Sequence, residues 1–184
     1  MDGSAPAIFL DRDGTLIRNV DYINDPAEVE IFPDVPAALE RLKAAGFRVV
    51  VITNQSGFAR GRLTQAQYDA VHARMLELAG PGAIDATYMC PDFGPRRKPA
   101  PAMILEAARD LNLDLQRSCM IGDKASDVLC GHAAGTRAIF IRTGYALDAP
   151  CEPDFMAANM TEAVEWVLQE REFPTPSVSR PPEP

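Results

Sequence analysis

Short apolar runs alternate with longer stretches of helical periodicity along this chain. Ala7–Leu10, Val49–Ile52, Ala86–Met89, Cys119–Ile121 and Ala138–Ile141 are three or four residues each, rich in branched or apolar side chains. Such runs predict five buried strands. Helical patterns lie between them. Asp34–Ala45 sets Val35, Leu39 and Leu42 on one face and stops at Gly46. Thr64 is placed to cap Gln65–Ala79, where Tyr68, Val71, Met75 and Leu78 recur at helical spacing. Pro101–Leu113 groups Ile104, Leu105, Ala108 and Leu111, and Asp127–Ala134 and Thr161–Gln169 complete the set. Strands alternating with helices predict an α/β, doubly wound, Rossmann-like and mainly parallel sheet. In such sheets ligands bind beyond the carboxyl ends of the strands.

The 184 residues suit one domain, expected over 1–173. Pro174 to Pro184 holds five prolines and almost no apolar side chain, which predicts a disordered tail over 174–184. A net charge of −8 argues against a nucleic-acid partner, which normally needs a basic face. Cys90, Cys119, Cys130 and Cys151 form no Cys-x-x-Cys pair, so they are expected to be reduced packing residues. No signal peptide and no membrane-spanning run is read, so a cytoplasmic monomer is expected. His72 and His132 lack metal-spaced partners and read as structural, Phe155 and Trp166 read as core, and the methionines read as packing.

Polar clusters follow the strands in order. Asp11-Arg12-Asp13-Gly14-Thr15 comes after the first, Thr53-Asn54-Gln55-Ser56-Gly57 after the second, Arg96-Arg97-Lys98-Pro99 beyond the third, and Gly122-Asp123-Lys124 with Asp127 after the fourth. Each alone is ordinary turn chemistry; that does not explain four at one end of one sheet. Alternation along the strand turns Asp11 and Asp13 into one pocket and Arg12 away from it. Two close carboxylates are tolerated if a divalent cation neutralises one and the other holds a proton. Asp11, Asp123 and the backbone at Asp13 suit Mg²⁺, which takes oxygen ligands. Asp11 is then an ionised nucleophile, and Asp13 is free to protonate a leaving oxygen and later deprotonate a water. Gly14 lets backbone approach an anion, Thr53 or Ser56 offers a hydroxyl, and Lys98 supplies fixed positive charge.

The ordered set "LDRDGTL", "VVVITNQSGFARG", "RKPAPAM" and "MIGDKASD" resembles the haloacid-dehalogenase (HAD) superfamily of aspartyl-phosphate phosphatases, over Ile8 to about Tyr145. Within it, the chain resembles the branch that holds heptose-1,7-bisphosphate 7-phosphatases and histidinol-phosphate phosphatases. The resemblance implies Asp11 as nucleophile and Asp13 as acid–base. Thr53, Asn54 and Lys98 would bind the phosphoryl group, and Arg60 and Arg97 the rest of the substrate. Asp11, Asp123 and the Asp13 carbonyl would hold Mg²⁺, with Gly14, Asp127 and Lys124 in support. It implies a small phosphorylated metabolite as substrate, favoured being a sugar bisphosphate.

The chain departs from the branch in one place. Many members carry a zinc loop, Cys-x-His followed by Cys-x-Cys, before Arg-Lys-Pro. Here Cys90-Pro91-Asp92 has only the first cysteine, so no structural zinc is expected. The segments Gly14–Phe32 and Pro91–Arg97 are too short for a folded lid, which predicts a capless enzyme with an open cleft. Arg60, Arg96 and Arg97 could grip a second phosphate at its rim. Histidinol-phosphate phosphatase and polynucleotide 3′-phosphatase are the enzymatic alternatives. A phospho-accepting signalling module is the non-enzymatic one, and Asp13 is the residue that argues against it.

Overall fold

The computed structural model describes residues 4–143 and 149–170. The segment 174–184, expected to be a tail, lies outside the described residues, as does Tyr145. Six strands form one sheet: β1 (Ala5–Leu10), β2 (Arg48–Asn54), β3 (Ala86–Cys90), β4 (Leu113–Gly122), β5 (Arg137–Ile141) and β6 (Phe155–Ala157). All pairings are parallel, in the order β3-β2-β1-β4-β5-β6. Helices α1 (Val35–Ala44), α2 (Gln65–Ala79), α3 (Ala102–Leu111), α4 (Ala125–Ala134) and α5 (Met160–Glu170) cover its two faces. This is the expected doubly wound α/β architecture.

A parallel sheet covered on both faces needs consecutive apolar residues, which is why its strands read as unbroken runs. Ile8, Leu10, Val49, Val51, Ile121 and Ile139 pack with Leu39, Leu42, Val71, Met75 and Val164 on one side. Ala7, Phe9, Val50, Ile52 and Met120 pack with Met103, Ile104 and Cys130 on the other. Thr64 caps α2 as predicted: its hydroxyl accepts the Gln67 N–H at 3.3 Å, and the Gln67 side-chain oxygen Oε1 accepts the Thr64 N–H at 3.0 Å.

Three expectations at the level of elements are corrected. The helix expected over Pro101–Leu113 stops at Leu111, because Asn112 turns left-handed (φ 51°) and Leu113 already belongs to β4. Within that helix Leu105 faces solvent, and Met103 and Ala107 join Ile104 in the core. A sixth strand, β6, extends the sheet beyond β5, and Phe155 and Trp166 stack at 5.4 Å at that edge, half-buried. Both histidines are engaged within the fold, His72 stacked on Tyr68 and His132 bonded to Asp154 at 2.8 Å.

The topology also places the crevice. From β1 the chain moves to β2 and β3 on one side, then returns to β4 on the other. The carboxyl ends of β1 and β4 therefore flank a switch point, where an open sheet leaves room for a ligand. Residues 11–34 hold only a 3-10 turn (Pro26–Glu28) and isolated bridges, and residues 91–101 form turns. Neither segment carries a folded lid, so the cleft is capless.

Candidate active site

The strand ladder ends one step past Leu10, where the Asp11 N–H donates to the Ile121 carbonyl at 3.0 Å. The chain then turns back. The N–H groups of Leu16 and Ile17 converge on the Arg12 carbonyl at 3.0 and 3.1 Å. Gly14 enables this turn, with φ at +97°, and a Cβ there would stand 2.2 Å from Asp123 Oδ2. At Gly122 a Cβ would come within 2.3 Å of Asp127 Oδ2. Two glycines thus let the loop after β1 and the start of α4 close on each other, bringing Asp11, Asp123 and Asp127 together.

Lys98 enters from the turn before α3. Asn54, at the end of β2, fixes its backbone from both sides: Oδ1 accepts the Lys98 N–H at 3.0 Å and Nδ2 donates to the Lys98 carbonyl at 3.2 Å. The Lys98 ammonium lies 2.6 Å from Asp11 Oδ1 and 2.7 Å from Asp127 Oδ1, and donates to the Ile52 carbonyl at 2.8 Å. Two of its three donors make hydrogen bonds, to Asp11 and to the Ile52 carbonyl, and Asp127 is held as an ion pair.

The electrostatics follow from this geometry. Burial pushes the Asp11 carboxyl up, but Lys98 and Lys124 outweigh it and hold Asp11 below the usual range. Burial, then the charges of Asp11 and Asp127, push Asp123 up to about 7. Burial, opposed by Lys98, pushes Asp127 up to about 6. Burial disfavours the Lys98 ammonium, yet Asp11 and Asp127 reverse this and raise its pKa.

The donor set fits a hard divalent cation. Oxygen atoms of Asp11, Asp123 and Asp127 lie within 4.8 Å of one another, all three residues buried. Asp123 Oδ2 is buried with no hydrogen-bond partner in the protein. An all-carboxylate cluster with an orphaned oxygen is a cation site by charge and by ligand type.

A cleft of about 450 Å³ opens over these groups, lined by Asp11, Asp13, Asn54, Arg97, Lys98 and Lys124 among others. Arg12 lines it too, contrary to the expectation that it points away. Alternation fails because β1 ends at Leu10 and the next residues form a turn. The Arg12 guanidinium instead forks onto Asp13, Nε to Oδ2 and Nη2 to Oδ1, both at 3.0 Å. Gln55 Nε2 donates to Asp13 Oδ2 at 2.7 Å and to Thr53 Oγ1 at 2.8 Å.

The remaining sequence-predicted residues divide between cleft and scaffold. Thr53 is fully buried, its hydroxyl accepting from Gln55. Asn54 lines the cleft, but its amide is engaged by Lys98. Lys124 sits at the mouth, where its N–H donates to Asp127 Oδ2 at 3.1 Å and starts α4. Arg97 lines the cleft, whereas Arg60 stands further out; their guanidiniums lie 5.1 and 5.2 Å from the ring of the exposed Phe93. Arg96 is turned onto Glu106 at 2.6 Å, away from the rim role expected of it. Arg12 and Gln55 are the site residues that sequence reasoning missed. Their signal was there, two polar residues embedded in the first two clusters, but the alternation rule misdirected one and nothing marked the other.

Comparison with known proteins points to one family. Residues 95–163 match the HAD-hydrolase-like family. The D-glycero-D-manno-heptose-1,7-bisphosphate 7-phosphatase of Thermosynechococcus vestitus is 38% identical, over 88% of this chain and 95% of its own. The D-glycero-beta-D-manno-heptose-1,7-bisphosphate 7-phosphatase of Escherichia coli K12 is 38% identical over 91% of each chain. Among solved structures, the D,D-heptose 1,7-bisphosphate phosphatase of B. bronchiseptica, complexed with magnesium and phosphate, superposes with a TM-score of 0.80. That pair shares 30% identity and covers 90% of this chain and 99% of the other. With relatives this similar along nearly their whole length, the chain belongs to the haloacid-dehalogenase-like phosphatases.

Proposed function

We propose that this phosphatase removes the 7-phosphate of a heptose 1,7-bisphosphate through a phosphorylated Asp11. The observation that carries the reading is Asp11 itself: an ionised carboxylate at the floor of an open cleft, 2.6 Å from a lysine that three groups hold in place. The substrate follows from the relatives' names and from Arg97, a guanidinium at the cleft suited to a second phosphate.

In this reading an Asp11 oxygen attacks phosphorus, the bond to the leaving oxygen breaks, and Asp13 gives that oxygen a proton. Negative charge passes from Asp11 to the phosphoryl oxygens, and Lys98 stands at its origin. Thr53 adds a hydroxyl beneath the phosphoryl group, and Asn54 keeps Lys98 in register. Asp13 then takes a proton from water, whose oxygen attacks phosphorus, and the bonding pair returns to Asp11. Asp11, Asp123 and the Asp13 carbonyl would hold Mg²⁺, with Asp127 in support. The ion, when bound, neutralises the phosphate and the crowded carboxylates. Zinc has no part in this reading, since Cys90 is a single thiol and Asp92 shapes its loop by accepting the Gly94 N–H at 2.8 Å. The protein acts as a monomer on a small molecule, with neither nucleic acid nor membrane as partner; no helix among the described residues is long and apolar enough to span a membrane.

The test is phosphate release from heptose 1,7-bisphosphate in both anomers, fructose 1,6-bisphosphate, histidinol phosphate and a 3′-phosphorylated oligonucleotide. The heptose bisphosphate should give the highest kcat/KM, and Asp11→Asn should abolish turnover. Preference for another ester would overturn the substrate, and an active Asp11→Asn would overturn the nucleophile.

A further inference from the structure

Arg12 is 1% exposed, a cation taken almost entirely out of water. Such burial is costly unless the charge is paired with good geometry. Its fork onto Asp13 pairs Nε and Nη2, while Nη1 is buried without a hydrogen-bond partner, and its guanidinium carbon lies 5.3 Å from the centroid of the Tyr68 ring on α2. Tyr68 in turn stacks on His72 at 5.6 Å and contacts Phe58 at 5.7 Å. A planar guanidinium wedged between a carboxylate and an aromatic column has little freedom to rotate. Core packing alone gives no reason to place a cation there, because an apolar side chain would fill the same space without the desolvation cost.

Counting lone pairs shows what the arrangement does. An ionised carboxylate offers about four in-plane acceptor sites, about two on each oxygen. Asp13 Oδ2 receives both Arg12 Nε and Gln55 Nε2, so its sites are filled. Among the described residues, Asp13 Oδ1 receives only Arg12 Nη2. The side chain is 16% exposed and lines the cleft. One acceptor site of the carboxylate is left, and it is on Oδ1.

We propose that Arg12 and Gln55 are positioning residues that select Oδ1 of Asp13 as the oxygen through which the proton passes. This rests on the reading of Asp13 as the acid–base group. In the first half-reaction the bond from phosphorus to the leaving oxygen breaks, its electron pair stays on that oxygen, and the proton on Oδ1 moves to it. In the second, Oδ1 takes a proton from water as the water oxygen bonds to phosphorus and Asp11 leaves. Both line the cleft, and the role inferred for them is to prevent the carboxylate from turning.

Leaving-group dependence separates this role from a structural one. A p-nitrophenolate leaves without a proton, whereas a sugar alkoxide does not. With Mg²⁺ present, full-length Arg12→Lys and Arg12→Met, checked for folding by circular dichroism, are compared with wild type on p-nitrophenyl phosphate and on a sugar phosphate. With p-nitrophenyl phosphate, one equivalent of p-nitrophenol should appear at about the wild-type rate, and steady turnover should then fall about 10- to 100-fold. With the sugar phosphate the first turnover itself should slow by a similar factor, and KM should stay within about threefold. Equal slowing of both first turnovers, a raised KM at unchanged kcat, or no change would each overturn the inference. If the Arg12 variants do not fold, Gln55→Leu, which frees one site on Oδ2, should show the same split in smaller measure and is judged the same way. Failure of the parent reading looks different: wild-type enzyme would then yield no phosphorylated Asp11.

Discussion

At the scale of single residues, Lys98 concentrates the energetics of the site. Its ammonium separates two buried carboxylates, Asp11 and Asp127, and also donates to the Ile52 carbonyl. Lys98→Met keeps the volume and deletes the charge, leaving those carboxylates face to face in a poorly solvated place. The expected cost is about 3–5 kcal/mol in urea unfolding of the metal-free protein, since removing one partner of a buried ion pair strands the other. Adding Asp127→Asn should restore part of it, so the double variant should lose less than the sum of the singles. Purely additive losses would show that the two side chains do not share this interaction. Asp11, Lys98, Asp123 and Asp127 were legible in the sequence because ionised groups after consecutive strands have few structural excuses. Arg12 and Gln55 were not, because their partners depend on where β1 stops and how the chain turns at Gly14. Asn54 was legible as a cleft residue, but its bond to Lys98, 44 positions away, was not.

At the scale of elements, Asp85 joins three of them. It precedes β3, and its carboxylate accepts from Lys43 on α1, Arg48 on β2 and the Val49 N–H at 2.7 Å. Burial pushes its carboxyl up, but these donors outweigh burial and hold it below the usual carboxylate range. A depressed native pKa means that the unfolded chain binds the proton more readily. The stabilisation is therefore complete above the unfolded value, near pH 4, and is lost as pH falls through the lower native value. Asp85→Asn should cost about 1–3 kcal/mol at pH 7 and less at pH 3, read from urea midpoints. An equal loss at both pH values would mean that charge is not what matters there. Phe93 joins the loops that carry Arg60 and Arg97, and it is 57% exposed. Phe93→Ala should raise KM for a bisphosphate by about fivefold, the equivalent of about 1 kcal/mol of cation–π contact, and leave p-nitrophenyl phosphate unaffected. Equal effects on both substrates would detach Phe93 from the second phosphate. Elements with strong local signals were read correctly, α2 above all through Thr64 and Gln67. The start of β4, Leu113–Ser118, was missed because its polar Asp114, Gln116 and Arg117 hide a strand that pairs with β1 at Ala5 and Pro6. The three residues of β6 are too few to carry a period.

At the scale of the whole molecule, sheet order explains why four polar clusters far apart in sequence converge, and alternation of strands and helices made that legible before any contact was known. It also explains why charge is distributed as it is. The basic groups at the cleft are few, and Arg12 and Lys98 are already paired with carboxylates, while the chain as a whole carries −8. A small bisphosphate can reach Arg97 and Lys124 with only two charged groups. A polynucleotide must lay a row of phosphates against a chain of net charge −8, and its non-specific affinity comes from basic contacts that this cleft does not extend. A 3′-phosphorylated oligonucleotide should therefore be turned over at least about 100-fold less efficiently than a heptose bisphosphate at low salt. The salt dependence makes the argument specific. Screening shortens from about 30 Å at 0.01 M to about 8 Å at 0.15 M, so added inert salt should narrow the gap by weakening long-range repulsion of the polyanion. If oligonucleotide turnover instead fell as salt rose, a basic track would be guiding the strand, and the polynucleotide phosphatase reading would regain its place.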